Sequence, residues 1–294
     1  MALDYRKFKL LNGIGNEYFL TEKSHKVFGN NPQGLGYTKT LSILRLGDDN
    51  YIPYSIINLD QINLELLFYD EKNANKYQNY VEFVDFLSHK PLYLMYQRPN
   101  SFTWYRRAVE TLGLTKTEVS QDGMLHSNLQ LQTLSFWEDG TSNVIETSQQ
   151  LETGKIYPIK YPINYGGSSL DGITLISVGM LDTPLEITIN GTVVNPQYIL
   201  YDANDTVYGR GKFNGQFDKV YINSDEANEA LTLERNGAIL DNSLSYQDLT
   251  VGSPDEIYVT FLKLKTGTNK IRFIVDGGFT GTVRIEWRNR YVSV

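Results

Sequence analysis

Trp104-Tyr-Arg-Arg-Ala-Val-Glu110 decides the class of this chain. Trp104, Arg106, Ala108 and Glu110 alternate with Tyr105, Arg107 and Val109, and a period of two sends the two sets to opposite faces of a β-strand. Downstream, Leu129, Leu131, Leu134 and Phe136 keep the habit with one change of register, which predicts a β-bulge near Thr133. Upstream, Leu92 to Tyr96 reads as another strand. Before it the period changes. Tyr77, Tyr80, Val81, Val84 and Leu87 fall at helical spacing, which predicts a helix over about 73–88 with these residues as its apolar face. Pro91 lacks the N–H needed to continue it.

Nearer the N-terminus, the apolar runs Tyr37 to Leu44 and Ile62 to Phe68 are bounded by Gly, Asn, Pro and Asp clusters and read as strands. Glu138 to Pro162, with Asp139-Gly140, a Ser/Gln/Glu stretch and two prolines, reads as a connection. It divides the chain into residues 1–150 and 151–294. The second part resumes with Ile173 to Val178 and Leu185 to Val194. Asn190-Gly191 and Asn236-Gly237 both predict two-residue hairpin turns, and Gly209-x-Gly211 within Val207 to Phe213 reads as a third turn. Ile257 to Lys265, a turn at Thr266 to Asn269, Ile271 to Val275, a Gly277-Gly278 turn and Val283 to Trp287 complete a pattern of many short strands. The fold class is mainly β, and the second part is a β-sandwich.

Composition agrees and narrows the function. The chain has 294 residues, 41% hydrophobic, with 21 Tyr and 13 Phe against 4 Met, a bias that suits pleated surfaces. It has no Cys, which removes disulfides, thiolate metal sites and cysteine nucleophiles. A net charge of −7 opposes non-specific nucleic-acid binding, so no nucleic-acid partner is expected. The N-terminus MALDYRKFKLLNGIG has no signal-peptide core and no run approaches bilayer length. The expectation is synthesis in the cytoplasm without a membrane anchor.

Chemistry-bearing constellations are scarce. His25, His89 and His126 stand far apart, none at metal-ligand or triad spacing, and His89 is explained by the negative end of the helix before it. Asp202, Asn204 and Asp205 offer oxygens for calcium, but turn chemistry accounts for them and no metal or cofactor is expected. There is no phosphate-cradling loop and no Gly-x-Ser-x-Gly, so the chain reads as no enzyme. The candidate binding residues are aromatic: Tyr198, Tyr201, Tyr208 and Phe213, with Phe217, form a sugar-stacking platform if they face outward together. In a β-sandwich most aromatics instead fill the core.

From Pro91 to Trp137 the chain resembles the distal tail proteins of long-tailed phages (siphoviruses) infecting Gram-positive bacteria. Lys90-Pro-Leu-Tyr-Leu-Met-Tyr-Gln97, Tyr105 to Val109, Leu114-Thr-Lys-Thr-Glu118, the Gly123 turn and Leu134-Ser-Phe-Trp137 carry the likeness, in the family's order of helix and strands. The resemblance implies an N-terminal β-sandwich or belt domain with one helix, over 1–150. A C-terminal galectin-like, carbohydrate-binding-module-like sandwich follows, for which Leu262 to Phe273 is the similar text. It also implies a structural hub of the tail tip or baseplate in the virion, assembled in the host cytoplasm. Such a hub is a homohexameric ring at the end of the tail tube. Its neighbours would be the tail tube protein, a tail-associated lysin or fibre, the tape measure protein and receptor-binding components. The competing reading is a carbohydrate-binding protein that recognises host glycans.

Overall fold

Period-two alternation becomes paired strands in both halves of the molecule. The computed structural model describes residues 5–21, 26–46, 50–69, 75–117, 119, 123–151, 168–225, 230–240, 263–277 and 279–294. The chain divides into two compact units, Met1–Thr141 with Arg290–Val294, and Ser142–Asn289. The parting at Thr141/Ser142 falls within the Glu138 to Pro162 stretch. Arg290–Val294 returns to the first unit, a feature that a division into 1–150 and 151–294 does not contain.

The first unit runs β1 (Lys7–Leu11), β2 (Glu17–Phe19), β3 (Val27–Gln33), β4 (Lys39–Leu46), β5 (Asn50–Ile57), β6 (Gln61–Phe68), α1 (Lys76–Ser88), β7 (Leu92–Gln97), β8 (Trp104–Leu114), β9 (Leu125–Thr133) and β10 (Trp137–Asp139). Seven strands lie in the order β2-β1-β7-β8-β9-β6-β3, and β10 joins them through β8. Phe8, Leu10, Ile62, Leu64, Leu66, Phe68, Leu92, Leu94, Leu129, Leu131 and Trp137 point to one core. In β8 the buried set is Tyr105, Arg107 and Val109, as the alternation requires. Leu125, Ser127, Leu129, Leu131 and Thr133 of β9 alternate without interruption. The bulge expected near Thr133 is absent there: the strand ends, Leu134 is exposed, and the register shift lies opposite, between Thr111 and Gly113 of β8.

The helix forms where the spacing predicts it, but its buried face is a different one. Phe83, Phe86 and Leu87 enter the core with Asn79 and Lys76, and Tyr80 packs partly against it. Tyr18 lies under this face, with its ring centroid 4.9 Å from Phe83 and 5.3 Å from Phe86. Two phenylalanines bring more apolar area to the core than two valines, so the helix turns that side inward. Of the face read from sequence only Leu87 is buried.

The second unit contains β11 (Asn143–Leu151), β12 (Ser168–Ser177), β13 (Thr183–Val194), β14 (Gln197–Tyr201), β15 (Val207–Lys212), β16 (Gln216–Asn223), β17 (Ala230–Arg235), β18 (Ala238–Leu240), β19 (Lys263–Leu264), β20 (Gly267–Val275) and β21 (Phe279–Trp287). One sheet has the path β11-β21-β13-β16-β17-β18, with β19 beside β13; a second has the order β12-β20-β14-β15. Leu185, Ile187, Val220, Val283 and Ile285 from the first meet Leu175, Tyr198, Leu200, Ile271 and Phe273 from the second in a common core, so the unit is a two-sheet sandwich.

Two Asn-Gly pairs part company here. Asn236 and Gly237 both have positive φ, 53° and 72°, and turn the chain from β17 to β18 as a primed hairpin turn does. Asn190-Gly191 stays inside β13. The register against β16 shifts between Asn190 and Val193, so this pair is a bulge. Gly209 and Gly211 likewise lie within β15. A Cβ on Gly211 would sit 2.3 Å from the Tyr198 ring, so that glycine makes room for a core tyrosine. Ile257 to Leu262, Gly278, Glu118 and His25 lie outside the described residues.

Candidate assembly surface

β4 and β5 form a two-stranded sheet of their own, paired from Lys39↔Ile57 to Leu46↔Asn50 and joined to no other strand among the described residues. The register sets Leu41 opposite Ser55 and Ser42 opposite Tyr54, so Leu41 and Ile43 share one face of the ribbon while Tyr54 and Ile56 share the other. Leu41 is 63% exposed, Ile43 61%, Tyr54 59% and Ile56 50%. Tyr37 and Leu59 extend the exposure at the root. An isolated hairpin is marginal in water, and this one shows apolar side chains on both sides.

The root, in contrast, is held by polar bonds. Asn58 N donates to Thr38 O at 3.0 Å, and Asn58 Nδ2 to Thr38 Oγ1 at 3.0 Å. Thr38 Oγ1 donates to Asp60 Oδ1 at 3.0 Å, and Thr40 Oγ1 to Asn58 Oδ1 at 3.1 Å. Thr133 Oγ1 donates to Asp60 O at 2.6 Å and Gln132 Nε2 to Leu59 O at 2.8 Å, which ties the root to β9. Arg107 is buried close enough to feel the Asp60 carboxylate; burial pulls its guanidinium down to about 10, and Asp60 opposes the shift. Its Nε donates to Ser135 O at 2.7 Å, and it faces the Trp137 ring at 5.7 Å. The ribbon is thus fixed at its root, and Leu41, Ile43, Tyr54 and Ile56 beyond the root are exposed.

A second apolar strip lies on the outer side of α1. Tyr77 is 42% exposed, Val81 56% and Val84 44%, at spacings of four and three residues that place them in one line. Lys116 lies 4.8 Å from the Tyr77 ring, and Glu82 at the edge is paired with Lys26 at 2.7 Å.

The first unit is closed by its C-terminus. β22 (Arg290–Tyr291) pairs with β10, and Glu138 accepts from Arg106 Nη2 at 3.1 Å and from Arg290 Nε at 3.2 Å. Glu138 and Arg290 are both buried, and Tyr291 Oη donates to Asp139 Oδ1 at 3.1 Å. Sequence reading put Glu138 in a connection because its partner Arg290 is 152 residues away.

The candidate sugar platform is not assembled. Tyr198 and Phe213 stack on each other at 6.3 Å inside the core, and burial raises the Tyr198 phenol well above its ordinary range. Neither ring offers a face to solvent, and Phe217 is core as well. Tyr201 and Tyr208 are half-buried. Tyr208 Oη donates to Asn269 Oδ1 at 2.6 Å, with Lys265 over its ring at 4.6 Å. Tyr198, Phe213 and Phe217 face inward, with Tyr208 packed against them, because the sheet needs large side chains against the one opposite.

Elsewhere, Asp202 Oδ1 accepts from Asn204 N and Thr206 N, each at 2.9 Å, the side-chain bonds of an ordinary turn. His89 Nδ1 donates to Asp85 O at 2.9 Å, which closes the end of α1. No group of three or more His, Asp or Glu that could hold a metal occurs among the described residues. Among them, too, no helix is long and apolar enough to cross a membrane.

On the outer face of the larger sheet in the second unit, Glu186 and Glu286 are direct cross-strand partners. Burial raises the Glu186 carboxyl and Glu286 adds to the rise, whereas a bond from Ser142 and the Arg284 guanidinium hold Glu286 below its ordinary range.

Two β units, one of which lifts an apolar ribbon out of its sheet, define a structural protein whose exposed surfaces suit association. Residues 7–134 match the family model of the distal tail protein N-terminal domain. These residues therefore form a distal tail protein N-terminal domain, the domain of a phage virion structural protein. Among solved structures, the phage P2 baseplate in its activated conformation with Ca is 16% identical at a TM-score of 0.59, over 98% of this chain and 99% of that one. The SPP1 Dit protein, described as a paradigm of the hub adsorption apparatus in Gram-positive infecting phages, is 11% identical at 0.57, over 95% and 98%. These likenesses carry the shared fold. No curated protein matches the chain.

Proposed function

We propose that six copies of this chain close a ring that serves as the hub of the phage tail tip. The first unit builds the ring and the second offers docking surfaces. One observation carries the reading: the β4–β5 ribbon exposes large apolar residues on both faces while its root is pinned by hydrogen bonds. Leu41 and Ile43 on one face and Tyr54 and Ile56 on the other leave apolar side chains exposed on both sides of the ribbon, as surfaces that bind a partner do. A surface of this kind is stable when another subunit covers it.

In this reading the ring stands at the end of the tail tube. The tail tube protein lies above it, the tape measure protein within it, the lysin or fibre below, and receptor-binding components at its side. The work is geometric: a rigid ring ends one symmetry and presents surfaces to the next component. Light scattering on the eluting full-length protein tests it through Ile43→Asp, which puts a charge in the middle of the ribbon. The wild type is expected at the mass of six chains and the variant at that of one. A variant that keeps the wild-type mass would remove the ribbon from the interface.

A further inference from the structure

At one end of the sheet in the first unit a phenylalanine stands wholly in water. The pair Gln97↔Trp104 closes β7 onto β8, and Phe102, in the turn of residues 98–103 between them, is 100% exposed. A lone exposed apolar residue is ordinary on a protein surface. The setting of this one is not, because the turn that carries it is held. Asn100 takes a positive φ of 56°, Ser101 N donates to Arg98 O at 3.3 Å, and Thr103 N donates to Ser101 Oγ at 3.1 Å. Arg98 is itself fixed: its Nη2 donates to Tyr105 Oη, and its guanidinium lies 5.1 Å from the centroid of that ring. A ring presented on a held turn gives up little conformational freedom when a partner covers it, which is how the anchor residue of an interface works.

The same end of the sheet is basic. The pairing of β1 with β7 stops at Lys7↔Gln97, so Arg6 and Arg98 come next at that end, and both are exposed. Residues 5–8 and 98–104 hold Arg6, Lys7 and Arg98 and no carboxylate, in a chain whose net charge is −7. Tyr5 adds a second aromatic, 47% exposed. Asp139, opposite Tyr105 on β10, is engaged by Tyr291 Oη at 3.1 Å. We infer that Phe102, flanked by Arg6 and Arg98, anchors a protein other than this chain, one that offers an apolar hollow edged by Asp or Glu. This rests on the hub reading, which supplies the neighbours, and adds the surface that holds one of them. The apolar residues that the first unit leaves exposed on the ribbon and on α1 stand on convex elements, so they are knobs where Phe102 needs a hollow, and a second copy is the poorer fit. A lipid surface needs more apolar anchorage than one ring gives.

The test puts p-benzoylphenylalanine in place of Phe102 in the full-length protein, builds it into phage particles, irradiates them and reads the cross-linked peptides by mass spectrometry. The expected result is a cross-link to a virion protein other than this chain, at a segment that contains Asp or Glu. Cross-links to a second copy only, or none, would overturn the inference. The cross-linked component, once purified, measures the anchor. Phe102→Ala in the full-length protein is expected to weaken its binding on the order of 10- to 100-fold, the share of one buried Phe. Arg6→Glu is expected to weaken it too, with the difference from wild type shrinking as salt rises. Wild-type affinity in either variant would overturn the inference. Both side chains are exposed, and melting curves check that each variant folds as the wild type does. Phosphatidylglycerol vesicles that bind the wild type and not Phe102→Ala would assign the ring to lipid and overturn the protein partner. Light scattering keeps this separate from the six-copy ring. Both variants are expected to keep the wild-type mass, and a Phe102→Ala variant that loses it would place Phe102 between copies and overturn this inference alone. A wild type that is monomeric at every concentration would end the ring, and the cross-link from position 102 would still decide the anchor.

Discussion

The β4–β5 ribbon and the sandwich of the second unit are written in the same alternation and meet different ends. In β13, Leu185, Ile187 and Ile189 turn to a core completed by a facing sheet. In the ribbon, Leu41 and Ile43 turn to one side, Tyr54 and Ile56 to the other, and all four are exposed. Alternation fixes that a segment is a strand and which residues share a face. It does not say who covers the face. That distinction separates residues that hold the fold from residues left exposed, and α1 repeats it on a smaller scale with its two sides.

The comparison can be broken at α1 first. Phe83→Ala empties a core position and is expected to cost ~3–5 kcal/mol of stability, whereas Val84→Ala on the outer side should cost well under 1 kcal/mol in the isolated monomer. Urea unfolding of both variants measures the gap, and comparable losses would mean that the outer strip is also structural. Next comes the C-terminal return. Glu138→Ala leaves the buried Arg290 and the adjacent Arg106 without their carboxylate, an expected loss of ~3–5 kcal/mol. A melt within a degree of wild type would mean that the return of Arg290–Val294 contributes little.

The smallest effect is in the second unit. The raised Glu186 carboxyl gives stability that is complete below the ordinary carboxylate range and is lost as pH rises through its elevated value. Glu186→Gln removes the cross-strand repulsion with Glu286, so the variant should be more stable by under ~1 kcal/mol at neutral pH, with the advantage vanishing in acid. Melting curves at the two pH values decide, and an advantage larger in acid would contradict the assignment.

Much of the fold was legible because periodicity is local. The strand around Trp104 to Glu110, the helix near 73–88 and the Asn236-Gly237 turn all came from neighbours in sequence. What was missed depends on distant chain. The side of α1 that turns inward was decided by Tyr18 and Phe68, which reward Phe83 over Val81. Asn190-Gly191 became a bulge because β13 continues against β16 on both sides of it. Glu138 became a buried anion through Arg290 at the other end of the chain. Tyr198 and Phe213 looked available because sequence gives the residue type and not the face. The exposed ribbon had a legible signal, the apolar run Tyr37 to Leu44, but only the sheet pairing reveals that no further strand joins it among the described residues.

Electron microscopy of the purified full-length protein tests the central claim most directly. Class averages with six-fold symmetry are the predicted result, and a uniform population of single chains at all concentrations would contradict it.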